Sequence, residues 1–167
     1  MTAATSTTRL RPPQNPVDGR AIGWWTTNLL LLFATPVAVL VLLGVLITPA
    51  RAWLLLPAAG IGVVGLVATV ALPRWWFRVH RWEVTDTAVY TRTGFFWQEW
   101  RVAPLSRIQT VDTRRGPLEQ RFGLATVVVT TASAKGAVTM PGLDRATAEE
   151  IAEQLTVTTQ AVTGDAT

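Results

Sequence analysis

The chain has 167 residues, a formal net charge of +4 and no cysteine, which excludes disulfides, thiolate metal sites and cysteine nucleophiles. Lys135 is the only lysine, so arginine supplies nearly all of the positive charge. We interpret this charge as a signal of membrane topology and expect no nucleic-acid partner. Residues 1–20, which are rich in threonine and proline, predict a disordered cytoplasmic tail.

Two long uncharged segments follow, residues 21–50 and 52–73, and Arg51 alone separates them. Each is long enough for a helix that crosses a bilayer, which needs roughly 20 apolar residues. Because the link is so short, they predict an antiparallel pair of transmembrane helices within residues 21–76. Arginines flank the pair on the outer side of both segments, which favours cytoplasmic termini and a multi-pass protein of the plasma membrane.

The second segment contains the pattern G-x-G-x-x-G at residues 60–65. A dinucleotide site would need this pattern between a strand and a helix of a soluble unit, so no nucleotide is expected here. Small residues instead recur along one helical face, which is typical of helices that pack closely in lipid. They are Ala58, Gly62, Gly65 and Thr69. Neither segment contains an ionisable side chain, which argues against a transporter or a proton relay.

Residues 77–160 change to short β-prone runs separated by turn signals, and predict one domain of about six or seven antiparallel strands. Asp144 then predicts the N-cap of an amphipathic helix. The apolar residues of this helix follow a helical spacing, at Ala148, Ile151, Ala152 and Leu155. Such a helix would close the open end of a small curved sheet or barrel. Residues 161–167 predict a loose, disordered tail.

Three stretches of this half resemble a known family: Arg-Trp-Glu-Val-Thr at residues 81–85, Val-Ala-Pro-Leu-Ser-Arg-Ile-Gln-Thr-Val at 102–111, and Gly-Pro-Leu-Glu-Gln-Arg-Phe-Gly-Leu-Ala at 116–125. With the preceding hairpin, the chain is similar over roughly residues 20–160 to the bacterial membrane-anchored PH-like domain proteins of the YdbS type. The resemblance implies a membrane α-hairpin of two transmembrane helices, followed by a mainly-β PH-like split barrel of seven strands that a C-terminal α-helix caps. It implies no particular reaction.

Phosphoinositide-binding PH domains carry basic residues around their first hairpin loop, and the matching turn here, residues 85–87, has none. A catalytic centre is not expected either. His80 is the only histidine and lies just beyond the second apolar segment, where we interpret it as an interfacial residue rather than a base. The serines stand outside nucleophile motifs and no metal-ligand spacing is present. We therefore expect no enzyme activity, no metal and no cofactor.

Two groups of residues are candidates for an interface. The first group follows the second segment directly and combines cations with indoles: Arg74, Trp75, Trp76, Arg78 and Arg81. It predicts contact with lipid headgroups, and simple anchoring is the alternative. The second group predicts docking of a partner and consists of Arg114, Arg115, Arg121, Phe96 and Trp100. The alternative for the three arginines is a solvated loop, and the alternative for the two aromatic residues is core packing.

Taken together, these features predict a non-enzymatic interaction or scaffold module that the hairpin holds at the cytoplasmic face of the membrane. The expected partners are the lipid bilayer and either a second copy of the chain or a related PH-domain membrane protein. The alternative hypothesis is a domain that senses anionic lipid through the arginine- and tryptophan-rich segment after the second span.

Overall fold

The computed structural model describes residues 12–94, 97–132 and 136–164. Two long helices, α1 (Arg20–Leu46) and α2 (Arg51–Val79), are joined by a 3₁₀ turn at Thr48–Ala50. Both are long and apolar enough to cross a membrane. Only 11% and 17% of their most apolar windows are buried inside the protein, which distinguishes them from the core helices of a soluble domain.

The two helices pack antiparallel along their whole length. Near the turn, a Cβ built on Gly44 would lie 3.1 Å from the side chain of Leu55, and in the middle a Cβ on Gly65 would lie 2.6 Å from that of Phe33. At Gly65 the backbone of α2 therefore approaches α1 so closely that a larger side chain would collide with Phe33. This is the close approach that small residues permit between helices in lipid.

The remaining chain forms two antiparallel sheets. The first has the order β1-β2-β3-β4 and the second the order β5-β6-β7. The strands of the first are β1 (Asn15–Pro16), β2 (Arg81–Val84), β3 (Ala88–Gly94) and β4 (Gln98–Pro104). Those of the second are β5 (Ile108–Arg114), β6 (Leu124–Thr131) and β7 (Val138–Asp144). A short helix α3 (Pro117–Arg121) joins β5 to β6, and α4 (Arg145–Gly164) follows β7.

The main core lies between the two sheets and α4. The helix contributes the apolar face that its sequence predicts, since Ala148, Ile151 and Leu155 are all buried against the strands. Asp144 caps its first turn, with Oδ2 accepting a hydrogen bond of 3.0 Å from the backbone N–H of Ala146. Two apolar helices followed by a mainly-β two-sheet domain with a C-terminal helix confirm the fold class that the resemblance implies. Six of the seven strands follow the hairpin, and the short strand β1 precedes it.

Several boundaries differ from the sequence prediction. Residues 15–16 form β1 beside β2, and Val17 is buried at 4% exposure, so these residues do not belong to the disordered tail predicted over residues 1–20. The reason is that the indole N–H of Trp82 binds the carbonyl oxygen of Pro16 at 3.1 Å, and apolar neighbours cover Val17. Residues 1–11 lie outside the described part of the chain.

The other shifts concern helix ends. Helix α2 continues to Val79, beyond the predicted boundary at residue 76, and β2 accordingly begins at Arg81. Helix α4 continues to Gly164 and so includes part of the predicted C-terminal tail. The hydroxyls of Thr156 and Thr158, in the second half of the helix, donate to carbonyl oxygens four residues earlier. The helix thus continues beyond the residues whose apolar spacing predicted it.

Candidate functional site

The base of the helical hairpin packs against the strands at a place separate from the core that α4 covers. A second apolar cluster forms there, built from the segment before α1, the first turns of α1, the last turns of α2 and the strands. Its buried members are Val17, Ala21, Trp25 and Leu124, and Trp24, Trp76, Phe77, Trp82 and Phe122 pack around them. The domain is therefore not suspended from the membrane helices by a linker, because side chains of both helices complete its hydrophobic core.

Arg92 of β3 binds the C-terminal end of α2. Its Nε donates to the carbonyl oxygen of Val79 at 3.0 Å, and its Nη2 donates to that of Arg78 at 3.2 Å. The same guanidinium lies 5.7 Å from the ring centroid of Trp100 on β4. A cation at this position complements the partial negative charge of a helix C-terminus and satisfies carbonyl groups that have no partner within the helix.

Arg20 joins the start of α1 to the start of α4. Its Nε contacts Asp18 Oδ1 at 2.9 Å, and its Nη2 contacts Asp144, the N-cap of α4. Hydrogen bonding to this guanidinium lowers the pKa of both Asp18 and Asp144 below the ordinary value of 3.8. Both carboxylates are therefore ionised at neutral pH. The backbone N–H of Asp18 also donates to the carbonyl oxygen of Gly142 at 2.9 Å.

An aromatic cavity of about 440 Å³ opens between the helices and the end of β3. The ring centroids of Trp24 and Trp25 are 5.9 Å apart, and Trp25 meets Trp76 edge to face at 5.7 Å and the imidazole of His80 at 5.3 Å. Asn28 and Gly94 complete the lining. This cavity, defined by Trp24, Trp25, Asn28, Trp76, His80 and Gly94, is called the aromatic cavity below.

The imidazole of His80 is half-buried in this cluster. Its Nδ1 lies 2.9 Å from the carbonyl oxygen of Trp76, and because a carbonyl oxygen can only accept, Nδ1 carries the proton. Burial lowers the pKa of His80, so the ring is neutral at neutral pH and Nε2 is an acceptor.

A polar cleft of about 330 Å³ lies on the other side of His80, where the edge strands β4 and β7 face each other. Glu99 and Arg101 of β4 form an ion pair there at 2.8 Å. Arg101 Nη1 also donates to the carbonyl oxygen of Ala137 at 2.8 Å and so bridges the two sheets. The cleft thus has a clear structural function, which is to close the seam of the split barrel. Within the described ranges, no cluster of three or more His, Asp or Glu side chains could hold a metal ion.

The predicted lipid-contact residues divide into two sets. Arg74, Trp75 and Arg78 are exposed on the last turns of α2, and Arg74 Nη1 donates to the carbonyl oxygen of Val70 at 2.6 Å. Trp76 instead points inward against Trp25. Arg81 lies in β2, paired in register with Arg92. The structure therefore brings three of the five residues together on one outer face.

The predicted docking residues lie on different elements. Arg114 is exposed at the end of β5 and Arg121 is exposed at the end of α3, whereas Arg115 is half-buried and its Nε donates to the carbonyl oxygen of Leu124 at 3.2 Å. Trp100 is exposed on the outer face of β4 beneath Arg92. Phe96 lies outside the described residues.

Glu119 is a structural residue that sequence reasoning missed. Although it is a carboxylate, its exposure is 7%. Oε2 accepts from the backbone N–H of Gly116 at 2.6 Å, and Oε1 accepts from the hydroxyl of Thr126 at 2.6 Å. The signal was present in the sequence, because Glu119 stands at the third position of the helix that Gly116 caps.

A groove of about 200 Å³ runs along one side of the membrane hairpin. Part of the predicted small-residue stripe lines it, since Gly62, Gly65 and Thr69 face it together with apolar residues of α1. A Cβ built on Gly62 would meet no atom within 4 Å, so the space in front of this glycine is open. The groove, called the hairpin groove below, is lined by Leu30, Phe33, Ala34, Val37, Gly62, Gly65, Leu66 and Thr69.

Two apolar helices of membrane-spanning length, fused to a two-sheet domain with a C-terminal helix, define a membrane protein with a PH-like domain. Comparison with known proteins agrees: residues 27–157 match the family model described as the bacterial PH domain, and the chain belongs to this family. It is 24% identical over 146 residues to the UPF0699 transmembrane protein YdbS of Bacillus subtilis (strain 168), covering 86% of this chain and 91% of that relative. No solved structure matches. The resemblance inferred from the sequence is thus confirmed.

Proposed function

We propose that this protein is a non-enzymatic interaction module whose PH-like domain is held at the cytoplasmic face of the membrane, and which assembles with a second copy of itself through the hairpin. The single observation that carries the proposal is the hairpin groove. It is an indentation in a surface that otherwise faces lipid, and it is open in front of Gly62.

The chemistry of the groove suits another helix better than it suits acyl chains. Small residues let helix backbones approach closely. Packing of this kind drives helix association in a bilayer, because the lipid tails are as apolar as the side chains and the hydrophobic effect contributes little. The hydroxyl of Thr69, at 7% exposure, has no hydrogen-bond partner within the described part of the chain. By contrast, the hydroxyls of Thr27 and Thr35 on α1 donate to carbonyl oxygens four residues earlier. A rotation of the Thr69 side chain towards an incoming helix would give its hydroxyl an acceptor.

The coupling between hairpin and domain supports a role for such assembly. Because the base of the helices packs into the domain, association of two hairpins in the bilayer would also fix the relative orientation of their two domains. The exposed Arg74 and Arg78 at the domain end of α2 favour a cytoplasmic location for that end.

The test compares two glycines of α2 in the full-length protein. A Cβ added at Gly60 or at Gly62 would meet no atom within 4 Å, so a side chain can start at both positions without contact within one protomer, but only Gly62 lines the groove. We expect the wild type and Gly60→Leu to be oligomeric by native mass spectrometry and by crosslinking in nanodiscs, and Gly62→Leu to be monomeric. A wild type that is monomeric in bilayers and co-purifies with no partner would overturn the proposal. A different membrane protein that co-purifies with Gly60→Leu but not with Gly62→Leu would assign the groove to a heteromeric partner.

Sensing of anionic lipid is the second candidate, and the exposed set Arg74, Trp75 and Arg78 favours it. Each basic residue near an anionic surface contributes about 1 kcal/mol of attraction. We expect the double substitution Arg74→Gln and Arg78→Gln to reduce enrichment of phosphatidylglycerol around the protein in mixed vesicles. Arg51→Gln, at the opposite end of the hairpin, is the matched control. Equal enrichment in the wild type and in the double variant would exclude this role.

A further inference from the structure

The aromatic cavity lies at the depth of the lipid headgroups. On α1, residues 29–46 are apolar apart from Thr35, and at 1.5 Å per residue they span about 27 Å, which matches the hydrocarbon core of about 30 Å. Asn28 therefore marks the domain-side boundary of that core. Trp24 stands one helical turn further out, about 6 Å, which is the thickness of the headgroup region. Indole rings favour this level.

The end of β3 reaches the same level, because Gly94 lines the aromatic cavity together with Asn28. Gly94 has a φ of +137°, and a Cβ at this position would collide with the carbonyl oxygen of Trp97. Glycine is therefore needed for the chain to turn back here. Trp97, on the far side of the turn, is 89% exposed. The aromatic cavity thus lies between the helical hairpin and the end of β3, at the depth that the apolar run of α1 assigns to the headgroups.

The lining of the aromatic cavity offers acceptors and aromatic faces. Three indoles surround it, and the negative face of an indole attracts cations. The amide nitrogen of Asn28 donates to the carbonyl oxygen of Trp24 at 2.9 Å, which leaves the amide oxygen of Asn28 as an acceptor. Nε2 of His80 is an acceptor too, because Nδ1 holds the proton. Among the six described lining residues there is no arginine or lysine, and His80, whose pKa burial lowers, is the only one that could carry a positive charge.

We propose that the aromatic cavity binds the ammonium group of a zwitterionic phospholipid headgroup, of the phosphatidylethanolamine class. A primary ammonium has three donors and one positive charge, which match the two acceptors and the indole faces. Arg92 is bound to the carbonyl oxygens at the end of α2 and is not among the described lining residues. The site is distinct from the hairpin groove and does not depend on assembly.

The test uses the full-length protein in nanodiscs that contain phosphatidylglycerol and equal amounts of phosphatidylethanolamine and its N-acetyl derivative, with identical acyl chains. N-acetylation removes the ammonium charge and leaves the rest of the headgroup in place. Native mass spectrometry of the released protein measures which lipid is retained. We expect retention of phosphatidylethanolamine over the N-acetyl derivative by about three- to tenfold, which lies between the effects of solvent-exposed and fully desolvated cation–π contacts.

Two variants and one control make the test specific. Trp24→Leu removes an aromatic wall, and Asn28→Leu removes an acceptor at an exposed position outside both hydrophobic cores, so at least the second is expected to fold. Both should lose the preference. Trp53→Leu, an 83% exposed tryptophan at the other end of the hairpin, should keep it, as should the assembly variant Gly62→Leu. Equal retention of the two lipids by the wild type, or the same loss in Trp53→Leu as in Asn28→Leu, would overturn the proposal.

Discussion

At the scale of single residues, Arg92 makes the most consequential contacts that no local pattern indicates. Its guanidinium reaches carbonyl oxygens thirteen and fourteen residues earlier in the chain, at the end of α2, and also covers Trp100. Hydrogen bonds from a charged donor are stronger than those between neutral groups. One side chain of the first sheet therefore fixes the end of a membrane helix.

We predict that Arg92→Met destabilises the domain by about 1–2 kcal/mol, because two carbonyl groups lose a charged donor while much of the apolar stem is kept. Thermal unfolding of the full-length protein in detergent measures this. Arg107→Met, which changes an exposed arginine in the connection between the sheets, is the control and should alter stability by less than about 0.5 kcal/mol. Equal effects of the two substitutions would show that the contacts of Arg92 contribute little.

At the scale of elements, α4 shows which features of a helix the spacing of apolar residues predicts and which it does not. Its apolar residues at helical spacing predicted both the helix and its buried face, and Asp144 predicted its start. The predicted C-terminal end of the helix was too early, because the residues that follow include several threonines and do not continue the apolar spacing. Packing against the sheets anchors the first half of the helix, and the second half extends from it.

We expect Leu155→Ala to lower the free energy of unfolding by about 2–5 kcal/mol, since Leu155 is fully buried and truncation would leave a cavity between α4 and the sheets. Val157→Ala, at a position 60% exposed on the same helix, should change it by less than about 0.5 kcal/mol. Denaturant titration of both variants in detergent separates the effects. A small loss for Leu155→Ala would contradict the role of α4 as the cap of the core.

At the scale of the whole molecule, helices complete both apolar clusters of the domain. Helix α4 contributes to the main core, and the base of the membrane hairpin contributes to the second cluster. Arg20 ties these elements together, because it contacts Asp18 before α1 and Asp144 at the start of α4. The membrane helices are therefore connected to the domain by direct side-chain packing and not by a linker alone.

This arrangement predicts a pH dependence. The pKa of Asp18 and of Asp144 is lowered in the folded protein, so the ion pairs contribute stability above pH 3.8 that is lost as the pH falls through the folded pKa values. Because these groups are partly exposed, solvent screening limits the contribution to no more than about 1 kcal/mol. Asp144→Asn keeps a good N-cap but removes one charge. Thermal unfolding from pH 7 to pH 3 should therefore show a smaller loss for Asp144→Asn than for the wild type, and identical profiles would exclude the effect.

The sequence by itself determined the two long apolar helices, the strand-rich domain, the family and the buried face of α4. Local rules suffice for these features, since each depends on the length of an apolar run, on spacing within one element or on a motif. Only the tertiary structure decided which residues meet: Arg20 with Asp144, Arg92 with the end of α2, and Trp25 with Trp76 and His80. Strand register and helix rotation set those contacts between residues far apart in the chain. For the same reason Trp76 packs inward against Trp25 instead of joining the exposed arginines, and the hairpin, which the sequence indicated only as an anchor, is also part of the domain's apolar packing.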